Sequence, residues 1–282
     1  MADKERVDIL LVQQGVFPTR EQAKRAIMAG LVLGANEERL DKAGVKIPVT
    51  TELHLKGTPM PYVSRGGFKL AKALTAFNID VTDRIVLDIG SSTGGFTDVV
   101  LQNGAKKSYA LDVGTNQLAW KLRSDERVIV MENTNFRYSK LADFTEGQPN
   151  FATIDVSFIS LHLILPPLRD IIATNGEVIA LIKPQFEAGR ENVGKHGIVR
   201  NPAVHKAVLE DIINFAISAG FTVEHLDFSP IKGGEGNIEF LAHLKAADAP
   251  VISTNVNIDD VQASAYDQLN RKEDNLEKGN EQ

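Results

Sequence analysis

The sequence contains no cysteine. This excludes disulfides, thiolate zinc centres, iron–sulfur clusters and a cysteine nucleophile, and it fits a reducing compartment. Histidine is sparse too: His54, His162, His196, His205, His225 and His243 form no H-x-x-x-H or H-x-H pair. No metal site is therefore expected. No G-x-S-x-G elbow is present, which removes the usual signature of an α/β serine hydrolase. Long apolar runs are missing as well. The longest nearly uncharged stretch, 156–168, includes Pro166-Pro167 and falls short of the roughly 20 residues that cross a bilayer. The opening Met-Ala-Asp-Lys-Glu-Arg has no apolar segment behind a basic one. No secretory signal and no membrane partner are expected, and a cytoplasmic location is.

There is no excess of positive charge to attract nucleic acid globally, since 37 acids face 31 bases for a net of −6. The distribution is uneven. Residues 246–282 hold eight acids and three bases, so the remainder is almost neutral and can carry local basic patches. Polar, acidic composition predicts a disordered tail there, with one short helix at most. The 282 residues, 43% of them hydrophobic, suffice for an ordinary domain with a small partner.

At the amino-terminal end, Val7, Leu10 and Leu11 share one helical face before a stop at Gly15. Thr19 is placed to cap a second helix that ends at Gly30, and short β-like pieces follow at 31–33 and 52–56. The second helix gathers Arg20, Lys24 and Arg25, with Arg6 at the start of the first. Charge alone favours a solvated face; together the four could also meet phosphates. Residues 61–67 read as a linker into a tight turn, followed by a helix from Phe68. Apolar strand-like runs then occur at 85–89, 108–113, 128–131, 151–156, 178–182, 222–226 and 238–244, with helical stretches at 96–102, 161–172 and 203–219. Alternation of this kind predicts an α/β fold with a parallel, doubly wound, Rossmann-like sheet, its last two strands forming an antiparallel hairpin. The expected organisation is a small α+β domain over 1–60, the linker 61–67, a sheet domain over 68–245 and the tail 246–282.

One segment carries most of the chemical information. Asp88-Ile-Gly90-Ser91-Ser-Thr-Gly94-Gly95-Phe96 runs from a buried strand through a glycine turn into a helix, where backbone N–H groups can receive a nucleotide-like ligand. Its G-x-x-x-G-G spacing differs from the G-x-G-x-x-G of dinucleotide-binding dehydrogenases. Asp112, followed by Val113, ends the second strand and is suited to accept ribose hydroxyls; Asn133 ends the third, where an adenine edge could be met. Asp155 and Lys183 end the fourth and fifth strands. A carboxylate and a lysine at adjacent strand ends, partly desolvated, are candidates for proton transfer or for stabilising an anion. Taken singly, each is as easily a strand-end surface residue or a helix cap.

These motifs resemble known families. Residues 1–60 resemble the S4-type RNA-binding domain through Arg6-Val-Asp-Ile-Leu-Leu and Thr19-Arg20-x-x-Ala23-Lys-Arg25-x-Ile27. Residues 62–245 resemble the FtsJ/RrmJ-like ribose 2′-O-methyltransferases, joined through Tyr62-Val-Ser-Arg65-Gly-Gly-Phe-Lys-Leu70. The combination is similar to the hemolysin-A-like (TlyA) family of rRNA methyltransferases. The resemblance implies S-adenosylmethionine in the glycine turn and ribosomal RNA or its subunits as partner. It also implies a Lys-Asp-Lys-Glu tetrad, here Lys69, Asp155, Lys183 and Glu239. Glu239 would lie within a strand, with Lys69 as its partner. Arg65 joins the candidate RNA-binding residues.

Rival readings fit less well. Cytosine-C5 transfer normally needs a cysteine nucleophile. Asp155-Val-Ser-Phe158 lacks the two prolines of amino-group methylases. Arg39-Leu-Asp41 mimics part of a pseudouridine synthase motif but lies inside the small domain. A cytolysin would want a span, a signal or a strongly basic amphipathic helix. An inactive RNA-binding factor would not need all four tetrad residues.

Overall fold

The computed structural model describes residues 4–34, 38–51, 53–56 and 60–279, apart from the side chains of residues 235 and 270–279. Contacts divide the chain into two compact units, 1–61 and 62–282. Part of the expected strand 52–56, residue 52, lies outside the described residues, as do positions 57–59 at the end of the expected small domain and tail positions 280–282.

In the first unit, β1 (Lys4–Arg6) leads into α1 (Val7–Gln13), then α2 (Arg20–Met28), β2 (Val32–Leu33), β3 (Lys46–Pro48) and β4 (His54–Leu55). The Thr19 hydroxyl accepts the Gln22 N–H at the start of α2. Gly30, at φ +68°, follows its end. Val7, Leu10 and Leu11 of α1 pack on Ala23, Ala26 and Ile27 of α2. Strands β1 and β3 pair antiparallel, as do β2 and β4. The pairing of β1 with β3 was not visible in the sequence, because three-residue strands show too little alternation to register.

The second unit runs α3 (Gly67–Ala76), β5 (Ile85–Ile89), α4 (Gly95–Gln102), β6 (Lys107–Leu111), α5 (Trp120–Arg123), β7 (Val128–Met131), β8 (Phe151–Ile154), α6 (Leu165–Ile171), β9 (Glu177–Ile182), α7 (Pro184–Glu187), α8 (Pro202–Ser218), β10 (Phe221–Phe228), β11 (Phe240–Ala246) and α9 (Ile258–Gly279). The seven strands are ordered β10-β11-β9-β8-β5-β6-β7. Those from β9 to β7 are parallel, while β11 is antiparallel to both of its neighbours. The chain builds outward from β5 to β7 and then returns to β8 on the other side of β5. Ligands of open α/β sheets bind at such a reversal.

Burial alternates along the strands, as a period of two requires. Val86, Phe151, Ile179, Leu181 and Leu241 face the side covered by α3 and α4. Leu87, Ile89, Ile154, Ala180, Ile182 and Phe240 face the side covered by α6 and α8. Continuing the same parity past the strand ends places Asp155 and Lys183 on the α3 side, and running it back one residue from Phe240 does so for Glu239.

The carboxyl-terminal segment departs from expectation. Instead of a disordered tail, α9 spans Ile258–Gly279. Ala265 and Leu269 are buried in the core shared with α8 and the sheet. Segment composition hid this because only one stripe of the helix is apolar. Among the described residues, no helix is long and apolar enough to cross a membrane.

Candidate active site

The turn after β5 is held from three directions. Gly90 (φ +85°) passes so close to β8 that a Cβ would lie 2.6 Å from the Asp155 carbonyl oxygen. Gly94 (φ +95°) faces Leu118 and Leu122, where a Cβ would collide with both side chains. Gly95 lies against Ser64, in the loop leading into α3, and the backbone of Gly67, the first residue of that helix. The bare Cα of Gly94, placed by the sequence among the residues of a ligand-receiving turn, serves chain packing and a left-handed conformation. Beneath the turn, the Asp88 carboxylate accepts from the Thr97 N–H (3.0 Å), the Thr97 hydroxyl (2.7 Å) and the Thr153 hydroxyl (2.9 Å). Full burial pushes the pKa of Asp88 up to about 6, and these hydrogen bonds partly oppose that rise.

Asp112 follows β6 directly. Its two carboxylate oxygens accept the N–H groups of Ser92 (2.8 Å) and Gly114 (2.7 Å). It therefore braces the turn, with further lone pairs still open to a ligand hydroxyl. Val113 is exposed, and Asn133 (φ +53°) donates its backbone N–H to Gly114.

A cavity of about 560 Å³ opens at the reversal between β5 and β8, lined by Gly90, Ser91, Gly95 and Phe96 on one side and by Lys69, Asp155, Lys183 and Glu239 on the other. Asp112, Val113, Gly94 and Asn133 are not part of its lining. Lys69 arrives from α3, Asp155 from the end of β8 and Lys183 from the end of β9. Glu239 stands one residue before β11 rather than within it. Lys69 Nζ donates to Glu239 Oε2 at 2.6 Å and lies 3.9 Å from Asp155 Oδ2. Lys183 Nζ lies 2.6 Å from Asp155 Oδ1 and 3.1 Å from the Ser157 hydroxyl. Two cations and two anions, three of them buried, thus compensate one another. Removing any one leaves an uncompensated charge in a desolvated place.

Several neighbours were missed by sequence reasoning. Gln185 donates Nε2–H to Glu239 Oε1 at 3.3 Å, and Ser157 holds Lys183. The exposed Phe158 (φ +63°) stands at the rim with its ring 4.9 Å from that of Phe186. Gln185 and Phe186 follow Lys183-Pro184 in the sequence, and Ser157-Phe158 follow Asp155. Position after a strand end was the available signal, although the left-handed backbone at Phe158 was not legible.

In the small unit, Arg6 and Arg20 both converge on buried Asp8. Arg6 makes two bonds to it (2.9 and 3.1 Å) and Arg20 one (2.9 Å). The guanidinium of Arg6 is the main reason that the Asp8 pKa falls to about 2. Arg25 pairs with Glu21 on the exposed face of α2, and Lys24 is exposed beside it. Arg65 is exposed in the loop before α3. Among the described residues no group of histidines and carboxylates could hold a metal ion.

A parallel sheet with a braced glycine turn after its first long strand, and a charged pocket at its reversal point, is the framework of a Rossmann-like group transferase. The chain belongs to the FtsJ-like methyltransferase family, which matches residues 62–246, and it carries an S4 domain over residues 5–48. It is 64% identical over 241 residues to "Putative rRNA methyltransferase YqxC" of Bacillus subtilis, covering 86% of this chain and 85% of that protein. It is 38% identical over 251 residues to the 16S/23S rRNA (cytidine-2′-O)-methyltransferase TlyA of Mycobacterium tuberculosis, covering 87% and 91%. The solved structure titled "Putative hemolysin from Streptococcus thermophilus" is similar at a TM-score of 0.77 and 59% identity, covering 97% of this chain and all of that one.

Proposed function

We propose that this protein transfers a methyl group from S-adenosylmethionine to the 2′-hydroxyl of a cytidine in ribosomal RNA, in the cytoplasm. The observation that carries the reading is the compensated cluster of Lys69, Asp155, Lys183 and Glu239 facing the glycine turn across one cavity. The cavity fits the cofactor: its volume is within the usual 300–1,000 Å³ of small-molecule sites, and the small residues Gly90, Ser91 and Gly95 line it beside the apolar ring of Phe96. Asp112, Val113 and Asn133 at the neighbouring strand ends would complete its nucleoside side. When bound there, S-adenosylmethionine supplies an electrophilic methyl group on sulfur.

The chain has two remaining tasks, to align the ribose oxygen and to manage its proton. An ammonium has three donors, and Lys183 directs two to Asp155 and Ser157. The third is suited to the 2′-oxygen, where it steadies the charge that develops as the oxygen–methyl bond forms and the methyl–sulfur bond breaks. The hydroxyl proton passes to Lys183 where the lysine enters neutral, and otherwise to water. Asp155 offsets the lysine's charge, and Lys69, bridging Asp155 and Glu239, fixes that carboxylate. Gln185 keeps Glu239 from turning away. Alignment of the reacting oxygen supplies much of the rate. Phe158, exposed at the mouth, is suited to stack on an unpaired base, the usual way single-stranded RNA is engaged. The S4 unit, through Arg6, Arg20, Lys24 and Arg25, and the loop residue Arg65 would hold the phosphates.

Single-turnover transfer of labelled methyl from S-adenosylmethionine to purified ribosomal subunits, followed by mapping of ribose methylation, tests this reading. The expected product is one or a few 2′-O-methylcytidines. Label on a base, or no transfer despite tight RNA binding, would replace it with a base methylase or an inactive RNA-binding factor.

A further inference from the structure

The helix α9 lies beyond the part of the chain that matches the methyltransferase family. Its apolar anchors, Ala265 and Leu269, are buried in the core. Yet it also carries a polar contact inward. The Tyr266 hydroxyl lies 2.6 Å from Nδ1 of His205, a residue of α8 that is almost wholly buried. Nε2 of His205 lies 3.1 Å from the Val199 carbonyl oxygen. A carbonyl can only accept, so Nε2 carries the proton; Nδ1 is then the acceptor, and Tyr266 donates to it. Burial lowers the His205 pKa, which keeps the ring in this neutral form.

The chain of contacts continues. The Val199 N–H donates to Oδ1 of Asn237 at 3.0 Å, and Asn237 Nδ2 donates to the carbonyls of Gly197 (2.9 Å) and Gly234 (3.1 Å). Asn237 is buried, lines the cavity and stands two residues before Glu239. The His205 ring also meets Phe240, the residue after Glu239, edge-on at 5.8 Å between centroids. Glu239 is therefore flanked on both sides by residues that His205 meets, Phe240 directly and Asn237 through Val199.

We propose that Tyr266 and His205 are positioning residues for methyl transfer, and that α9 acts through them and Asn237 to hold Glu239 in register with Lys69. The inference rests on the methyltransferase reading. Tyr266→Phe keeps the ring and removes only the donor. In single-turnover transfer at saturating cofactor and RNA, it should lower the rate about three- to tenfold. Cofactor affinity should stay within about twofold, because the glycine turn is not in the relay. His205→Gln can still donate to Val199 and should be several times faster than His205→Ala. Independently of activity, amide exchange at Val199 in Tyr266→Phe should quicken severalfold while exchange in β5 does not change.

Full transfer rates in folded Tyr266→Phe and His205→Ala, or unchanged exchange at Val199, would overturn the relay. If the parent protein transfers no methyl group at all, the functional reading fails instead, and exchange at Val199 still decides whether the relay exists.

Discussion

Lys183 is the residue on which the site turns. Its ammonium touches Asp155 and Ser157, and it comes from the end of a strand, one of the stiffer supports a protein offers. Lys183→Ala should lower single-turnover methyl transfer by about 10²–10⁴-fold while cofactor and RNA still bind. That pattern marks a group acting mainly in the transition state. Lys183→Arg separates two roles, since arginine keeps the charge but cannot release a proton. Activity near that of alanine identifies proton transfer, and substantial recovery identifies charge stabilisation. Transfer by the alanine variant at the parental rate would remove Lys183 from the mechanism. Gly94 makes the opposite point. Its Cα faces Leu118 and Leu122 in a left-handed conformation, so Gly94→Val should first cost stability, about 1–3 kcal/mol from backbone strain alone. Urea unfolding measures this; an unchanged midpoint would mean the turn tolerates a side chain.

At the scale of elements, α1 and α2 are tied by a carboxylate as well as by apolar contact. Asp8 is enclosed, and Arg6 and Arg20 hold it ionised, with a pKa of about 2 against an ordinary 3.8. A lowered carboxylate pKa means the unfolded chain takes up the proton first. The contribution is whole above pH 3.8 and is lost as the pH falls toward 2. Arg20→Glu would set a second carboxylate against Asp8 and should loosen the small unit as well as weaken RNA binding. Lys24 and Arg25 give a cleaner probe. The Arg25–Glu21 pair is exposed on both sides and contributes little. Lys24→Glu with Arg25→Glu should weaken rRNA binding and flatten its salt dependence, with stability changed by less than about 1 kcal/mol. An unaltered salt slope would move the phosphate contacts elsewhere, toward Arg65 and its neighbours.

At the scale of the whole molecule, the acidic end of the chain completes the core that carries the site. Leu269 is almost fully buried there, so Leu269→Ala should destabilise the second unit by about 2–5 kcal/mol in urea unfolding. A disordered tail would show no change. The sequence by itself determined the strand and helix alternation, the turn at 90–96 and the strand ends at Asp155 and Lys183, because periodicity and glycine placement are local properties of the chain. It also carried Lys69 and Glu239, but only through family resemblance. Nothing local to Gly-Asn-Ile-Glu239 reveals a buried glutamate's partner 170 residues away. Tertiary structure alone decided that Gly94 serves packing, that Arg6 and Arg20 share Asp8, and that a polar, acidic segment becomes a helix against the sheet. Each depends on what lies across space from a residue, and one-dimensional pattern records only what lies beside it.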